Sequence, residues 1–291
     1  MTDLQLWLSA VEMGCFFGML ALAYHLVYVG AGFFNFAIGP YAMIGGLCTS
    51  WLVITYDLGV WTAASISIVL ALVLSVVTEL GVVRPVQKRS GGGELPALVA
   101  VAAVLFAIQQ AAGYVFGYPT LPGQVLVTFG PVEVAGVTIQ PNTILMIALG
   151  IVTFVVTALW IRFTRTGRLL RAVGDSNHAA ALLGLPVNRV RLIAFIVAGF
   201  IAALAGILFA PKAGVHSLSG LGWSLSGFLA MVVGGTGSVW APLLGGMLLG
   251  LVEVFLPYYF GGQAHVYGML VIALVFFAFK PQGLFVRTVR A

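Results

Sequence analysis

The sequence predicts an all-α protein that crosses a membrane several times. Of its 291 residues, 61% are hydrophobic and only 7% are charged, whereas charged residues make up about a quarter of an ordinary soluble domain. Several apolar runs reach the roughly 20 residues that a helix needs to cross a bilayer. The basic residues lie between these runs, as the positive-inside rule describes. We therefore expect one transmembrane domain over residues 1–291.

Eight or nine hydrophobic segments are predicted, some of them broken by glycine or proline. One segment, 223–234, is too short to cross a hydrocarbon core of about 30 Å alone. The segments lie at about 9–29, 36–55, 60–83, 96–117, 142–163, 192–212, 223–234, 239–257 and 265–280.

Three basic clusters set the predicted orientation, because lysine and arginine collect on the cytoplasmic side. Counting segments between the clusters places the N-terminus outside and the C-terminus in the cytoplasm. Cytoplasmic loops are expected at about 84–95 and 164–191. An external loop is expected at about 118–141, where β-branched residues alternate with glycine and proline and predict a small hairpin. The clusters are Arg84/Lys88/Arg89, Arg162 through Arg191, and Lys280/Arg287/Arg290.

Glycine is unusually dense in two stretches, Val29 to Gly46 and Val232 to Gly250. Backbone left unpaired within a bilayer is tolerated only inside protein or against a water-filled cavity. Broken apolar segments in both halves of a chain indicate a transport pathway. The alternative is close helix packing through small residues, as in GxxxG contacts. The two stretches do not establish an internal repeat.

Signatures of catalysis and metal binding are missing from the sequence. Lys88, Lys212 and Lys280 are not preceded by glycine, so the chain has no P-loop for nucleotide. The four histidines are scattered, and Cys15 and Cys48 lie in apolar runs without metal-type spacing, where they are expected to pack as small hydrophobes. We expect neither an enzyme nor a metal site.

Glu253 and Glu79 fall within apolar segments, where ionisable groups are costly and usually functional. Glu253 is a candidate coupling group for a proton- or sodium-driven carrier, although a structural role near a helix end is the alternative. Glu79 is close enough in sequence to pair with Arg84.

Arginine recurs every third residue at Arg162, Arg165, Arg168 and Arg171. Neighbouring members of this series share a face if the helix continues below the membrane. Most of this pattern is explained by a positive-inside anchor that reaches the lipid headgroups.

A short helix is predicted directly after the arginines. Asp175 is the expected N-cap, "SNHAAALL" forms about two turns, Gly184 fits the C′ position, and Pro186 prevents continuation. About eight residues span only about 12 Å, and so short a helix is not stable alone in water. It must therefore dock onto something.

The sequence leaves open which surface receives this short helix. Ala179, Ala180 and Leu183 are candidates to insert into a groove of a partner protein. The alternative is docking back onto the chain's own cytoplasmic face.

Five elements, in order and with matching spacing over nearly the whole chain, resemble the permease subunits of bacterial ABC importers for branched-chain amino acids. The permeases for urea, short amides and sugars belong to the same wider family. The elements are "NFAIGPYAMIGG" (Asn35–Gly46), "RPVQK" (Arg84–Lys88), the loop Thr164–Arg191, the glycine-rich stretch Val232–Glu253 and "KPQGLF" (Lys280–Phe285).

The resemblance implies that the short cytoplasmic helix, Asp175 to Leu183, docks in a cleft of an ATPase subunit. ATP and Mg²⁺ would then be bound by two separate ATPase subunits, and this chain would need no cofactor. A second related permease, usually of different sequence, and an external solute-binding protein complete such importers, in the bacterial inner membrane. The coupling residues implied are Arg171, Gly174, Asp175, His178, Ala179, Ala180, Leu183 and Gly184.

For the translocation pathway or its gate, we single out residues of the two glycine-rich stretches. Many relatives carry histidine where this chain has Ile38, which indicates a more apolar solute or asymmetry with the partner permease. Branched-chain or other apolar amino acids are the expected solutes. Urea or amides, aromatic or other carboxylates, and a solitary carrier or channel using Glu253 are alternatives. The pathway candidates are Asn35, Gly39, Pro40, Gly234, Gly235 and Gly237.

Overall fold

A computed structural model of the chain describes residues 3–91, 93–128, 130, 132–134, 137–279 and 284–285. Over these residues the chain forms helices and one short hairpin. The helices of the first half are α1 (Asp3–Ala31), α2 (Ile38–Tyr56), α3 (Val60–Val77), α4 (Arg84–Arg89), α5 (Glu94–Phe116) and α6 (Pro141–Phe163). Those of the second half are α7 (Arg165–Asp175), α8 (Asn177–Leu182), α9 (Val187–Ala213), α10 (Ser219–Gly234), α11 (Ala241–Phe260) and α12 (Ala264–Phe279).

Each predicted hydrophobic segment lies on one of these helices, which confirms the all-α polytopic fold. A π-helical segment, Thr78–Val83, joins α3 to α4, so that one continuous helix runs over Val60–Arg89. Seven helices of the described chain are long and apolar enough to cross a membrane: α1, α2, α3 with α4, α5, α6, α9 and α11. α10 has only 16 residues, about 24 Å, in agreement with the short segment expected there.

The predicted hairpin is present in the loop between α5 and α6. β1 (Val132–Val134) pairs antiparallel with β2 (Val137–Ile139). Earlier in the same loop, Leu121 exchanges two backbone hydrogen bonds with Val215, at 2.9 and 3.0 Å. The loop is therefore fastened to the end of α9.

The two ends of the helical bundle differ in charge. Arg84, Lys88, Arg89 and the arginines of α7 all lie at one end, which we call the cytoplasmic end. At the opposite, outer end, Lys212 of α9 makes a 2.5 Å ion pair with Glu12 of α1. The Thr143 hydroxyl of α6 donates a hydrogen bond to the same carboxylate at 3.2 Å. The hairpin loop also lies at this end, where Thr138 and Ile139 line a cavity together with Glu12 and Lys212.

The hydrophobic core is built around α1. Every residue of α1 from Cys15 to Val27 is buried, as expected for a helix that is apolar on all sides. α11, α9, α10 and α6 pack around it. By contrast, α3, α5, α6 and α12 expose many large apolar side chains. Those helices therefore form the faces turned to lipid or to partner subunits.

Glycines allow a close helix contact between α1 and α11. Gly14 and Gly18 of α1 face Gly246 and Gly250 of α11, so two GxxxG motifs pack against each other. A Cβ on Gly246 would lie 2.5 Å from the Gly18 Cα and 2.6 Å from the Gly14 oxygen. A Cβ on Gly250 would lie 2.5 Å from the Ala10 oxygen. Gly246 and Gly250 of the second glycine-rich stretch thus make the kind of close helix contact that small residues permit.

Candidate functional site: the cytoplasmic helices and the broken membrane helices

The arginine-rich segment forms a separate helix that lies against the cytoplasmic end of the bundle. The chain breaks after Phe163, and the Thr164 hydroxyl accepts a 3.0 Å hydrogen bond from the Gly167 amide, which caps α7. The helix therefore does not simply continue from α6. Leu170 and Val173 are buried while the arginines are exposed. α7 is thus amphipathic, with its apolar face on the protein.

Close contacts connect α7 to α1. A Cβ on Gly174 would lie 2.5 Å from the Val29 Cγ1 and 3.1 Å from the Val29 oxygen. Leu170 packs over Gly30, where an added Cβ would lie 3.1 Å from the leucine Cδ1. Because no space separates these surfaces, a displacement of α7 must also displace the inner end of α1.

The short helix α8 begins one residue later than predicted. Ser176, not Asp175, is its N-cap: the backbone of Ser176 is extended, and its hydroxyl accepts a 3.1 Å hydrogen bond from the Ala179 amide. Asp175 is the last residue of α7. The prediction was wrong here because Asp175 belongs to the preceding helix. Only the next residue can adopt the extended conformation of an N-cap.

The end of α8 agrees with the prediction at Gly184, which adopts φ +73°. The amide of Gly184 donates to the Ala181 oxygen, and that of Leu185 donates to the Ala180 oxygen, both at 3.0 Å. These two bonds define a Schellman motif, which needs a left-handed residue at C′.

The side chains of α8 are divided between the protein and the solvent. Ala180 is buried in the chain's own core, so it is not part of any surface offered to a partner. Ala179 is exposed, and Leu182 and Leu183 are 76% and 79% exposed. The His178 side chain lies outside the described residues. We call Arg171, Ala179, Leu182 and Leu183 the cytoplasmic contact surface; Leu182 was not among the sequence candidates.

The first glycine-rich stretch forms the break between α1 and α2. The chain turns at Gly32, with φ +81°, and the Asn35 side-chain oxygen accepts a 3.0 Å hydrogen bond from the Ala37 amide. The Ser224 hydroxyl of α10 accepts from the Gly39 amide at 3.1 Å and donates to the Phe36 oxygen at 2.6 Å. One serine thus holds the start of α2 against α10.

Glycine at position 39 is required by this contact. A Cβ there would lie 2.5 Å from the Ser224 amide nitrogen, and a Cβ added to Gly220 would lie 3.2 Å from the neighbouring Pro40. Asn35, Gly39 and Pro40 are all buried. In the described chain, this group of candidates therefore contacts protein rather than an open channel.

The second glycine-rich stretch begins where α10 ends. The Gly235 backbone has φ +88°, and Gly234 accepts a 3.1 Å hydrogen bond from the Phe285 amide. The Gly237 amide donates to the Phe285 oxygen at 2.8 Å, and Leu284 donates to Val233 at 3.0 Å. The stretch therefore holds the segment 284–285 at the cytoplasmic end. The rest of the sequence signature, Lys280 to Gly283, lies outside the described residues.

The structure does not bring the two candidate groups together within one chain. Gly39 contacts α10 at Ser224, while Gly234 is the last residue of the same helix. Ten residues of α helix separate these points by about 15 Å. The first group lies deep in the bundle and the second at its cytoplasmic end.

A buried ion-pair network connects α3 to α9 near the cytoplasmic end. Glu79 is fully buried in the π-helical segment, and its Oε1 lies 2.8 Å from the Arg191 Nε. Arg84 Nη2 lies 3.2 Å from Oε2 of the same carboxylate, as the sequence predicted. Arg191 also donates to Gln87. π-helical turns are rare and frequently mark functional positions.

Arg191 was missed by the sequence reasoning. A buried carboxylate demands a partner of opposite charge, but Arg191 is 112 residues from Glu79 and one of many basic residues in the cytoplasmic loops.

A small cluster of uncharged polar side chains places Tyr41 of α2 beside Asn35, Ser75 and Thr78. The Ser75 hydroxyl also donates to the Phe195 oxygen at 2.7 Å, which fastens α3 to α9 a second time.

Glu253 stands apart from all of these groups. It is half-buried on α11, and its Oε2 has no hydrogen-bond partner among the described residues. It interacts electrostatically with His265 at the start of α12. No cluster of three or more metal-ligating side chains occurs in the described chain.

The exposed apolar helices, the broken α1–α2 connection and the capped cytoplasmic helices together define a polytopic membrane protein with interrupted helices. A family model for the permease component of the branched-chain amino acid transport system matches residues 8–279. The chain belongs to this family of ABC importer permeases and is a multi-pass protein of the cytoplasmic membrane.

Curated relatives agree with the family. The high-affinity branched-chain amino acid permease protein BraD of Pseudomonas aeruginosa is 30% identical, over 98% of this chain and 96% of its own length. LivH of Escherichia coli, with the same description, is 27% identical over 86% and 84%. The ribose import permease protein RbsC of Escherichia coli is 29% identical over 69% and 74%.

One solved structure shares the fold. PsaBC from Streptococcus pneumoniae in complex with Fab aligns with a TM-score of 0.50 over 96% of this chain and 90% of that chain. The sequences are 13% identical, so the likeness concerns the helical architecture alone.

Proposed function

We propose that the chain forms part of the translocation pathway for branched-chain or other apolar amino acids, driven by ATP hydrolysis in separate subunits. The observation that carries the proposal is the end-to-end match to BraD, whose name gives that solute class. The match to the ribose permease covers less of both proteins, which favours amino acids over sugars. Urea, amides and aromatic carboxylates remain the alternatives to test.

The proposed assembly contains this chain, a second and different permease, two ATPase subunits that bind ATP and Mg²⁺, and an external solute-binding protein. Burial of Asn35, Gly39 and Ile38 within the chain supports a pathway that runs between two permeases instead of through one. In this proposal the break between α1 and α2 is a hinge of the gate, and solute selection belongs to the binding protein.

The proposed coupling runs from the cytoplasmic contact surface into the membrane. ATPase subunits that close on ATP would move α8 and α7. The contacts of Gly174 with Val29 and of Leu170 with Gly30 would then move the inner end of α1. The break at Gly32–Ala37 directly follows α1, and Ser224 connects that break to α10. Such coupling requires that ATP and solute each favour one of the two states.

The coupling proposal predicts that Leu182→Glu together with Leu183→Glu abolishes association with the ATPase. Both side chains are more than three-quarters exposed, so the substitutions place charge where a partner would bury apolar surface. We expect co-purification of a P-loop ATPase to weaken at least about a hundredfold. The measurement is pull-down of tagged chain from its native membranes, with mass spectrometry of the bound subunits.

The matched control is Leu95→Glu, which changes a 76% exposed leucine at the start of α5. This variant should keep the ATPase and the second permease. Equal loss in both variants, or no loss in the Leu182/Leu183 pair, would contradict coupling through α8. A chain that is recovered alone and transports in liposomes without ATP would overturn the proposed function itself.

A second substitution tests the solitary-carrier alternative. Glu253→Gln removes the half-buried carboxylate that such a carrier would use for ion coupling. We expect ATP-driven uptake to stay close to that of the unmodified chain, because no described group donates a hydrogen bond to the buried Oε2. Complete loss of uptake, with the assembly intact, would instead favour ion coupling through Glu253.

A further inference from the structure

A cavity of about 480 Å³ opens at the cytoplasmic end of the bundle, between α1, α6, α7 and the connection from α10 to α11. The function proposed above does not use it. Its walls combine aliphatic side chains of α6 with two arginines, and the loop Thr236–Trp240 forms another side. Such a mixture of apolar and cationic surface within one cavity indicates an amphiphilic ligand.

The two arginines supply positive charge at the mouth of the cavity. Arg162 lies in the last turn of α6 and Arg171 lies on α7, and both line the cavity. No acidic residue is among the described residues that line it. Glu94 and Asp175 line a separate, neighbouring cavity. The site is therefore suited to an anion, and guanidinium groups bind phosphate through paired hydrogen bonds.

The apolar wall continues directly onto the exposed apolar surface of α6. Val155 and Leu159 line the cavity and are also exposed, as is Val152 one turn further into the membrane. Trp240 also lines the cavity and is 44% exposed. Tryptophan favours such a position at the membrane interface. An acyl chain leaving the cavity would thus follow α6 into the bilayer.

The inner end of the cavity has an unmatched polar group. His25 of α1 lines the cavity and is 5% exposed. Its Nδ1 makes no hydrogen bond within the described residues and is closed to solvent, so other atoms of His25 line the cavity.

We propose that this cavity binds the phosphate headgroup of an anionic phospholipid from the cytoplasmic leaflet. Arg162 and Arg171 bind the phosphate, His25 and the loop Thr236–Trp240 surround the polar part of the lipid, and α6 carries an acyl chain. Basic pockets between transmembrane helices on this side of the membrane suit such headgroups. The lipid would then join α6, α7 and the α10–α11 connection, which are the elements around the cytoplasmic contact surface.

The test compares two double variants with the same change of charge. Arg162→Gln with Arg171→Gln removes both cavity arginines, whereas Arg165→Gln with Arg168→Gln removes two exposed arginines of the same segment that do not line the cavity. Each full-length chain, with the subunits it retains, is titrated with phosphatidylglycerol or phosphatidylcholine and analysed by native mass spectrometry. We expect phosphatidylglycerol affinity to fall about 30-fold in the first variant only.

A third variant keeps both arginines and fills the space. Ala158 lines the cavity, and Ala158→Trp should also reduce retained phosphatidylglycerol while the thermal midpoint in phosphatidylcholine shows that the chain is folded. Equal losses in the two arginine pairs, or none in the cavity pair, would overturn the proposal. Stabilisation by inorganic phosphate alone would assign the site to a free anion. Loss of the ATPase with lipid retained would assign Arg171 to subunit docking.

Discussion

Replacing Arg191 with leucine is expected to destabilise the protein by about 3–5 kcal/mol, because it leaves the Glu79 carboxylate charged and buried with one partner fewer. Glu79 is fully buried, and its shortest ion pair is the 2.8 Å contact to Arg191. Arg84 is the remaining cation, but its side chain is 28% exposed and 3.2 Å away. The effect is measured as the midpoint of thermal unfolding of the purified chain in detergent.

The control for this substitution lies two residues away. Arg189 is exposed and makes no described ion pair, so Arg189→Leu should change the midpoint very little. Adding Glu79→Gln to Arg191→Leu should recover much of the loss, since it removes the unpaired charge. If Arg191→Leu were as mild as Arg189→Leu, the network would not hold α3 to α9.

The second large effect is expected at the contact between α1 and α11. Gly246→Ala should destabilise the fold by about 3 kcal/mol, because the added methyl group would lie 2.5 Å from the Gly18 Cα and 2.6 Å from the Gly14 oxygen. These are backbone atoms, which cannot rotate away as a flexible side chain can, so the two helices must separate. Reduced yield of inserted protein and a lowered unfolding midpoint are the measurements.

A glycine in open space provides the matched comparison. Gly222 lies in α10 and has no heavy atom within 4 Å of an added Cβ, so Gly222→Ala should be neutral or stabilising by up to about 1 kcal/mol. The same chemical change is thus expected to have opposite signs at two helical positions. A neutral result at Gly246 would contradict this close approach of α1 and α11.

Patterns that act within one segment determined much of this protein from its sequence. The apolar runs gave the membrane helices, because length and composition alone decide whether a helix suits a bilayer. The arginine clusters gave the orientation. Gly184 was predicted as a helix terminator because a left-handed C′ position strongly favours glycine.

Only the tertiary structure decided which distant groups meet. Arg191 pairs with Glu79 across 112 residues, a choice that no local pattern distinguishes among the cytoplasmic arginines. The capping role fell to Ser176 because a second helix ends at Asp175. Likewise, Ala180 is buried and Leu183 is exposed because α8 rests on its own chain along one face. The glycine-rich stretches show the same dependence on tertiary structure. A glycine permits both a turn and a close contact, and only its packed neighbours show which of the two occurs.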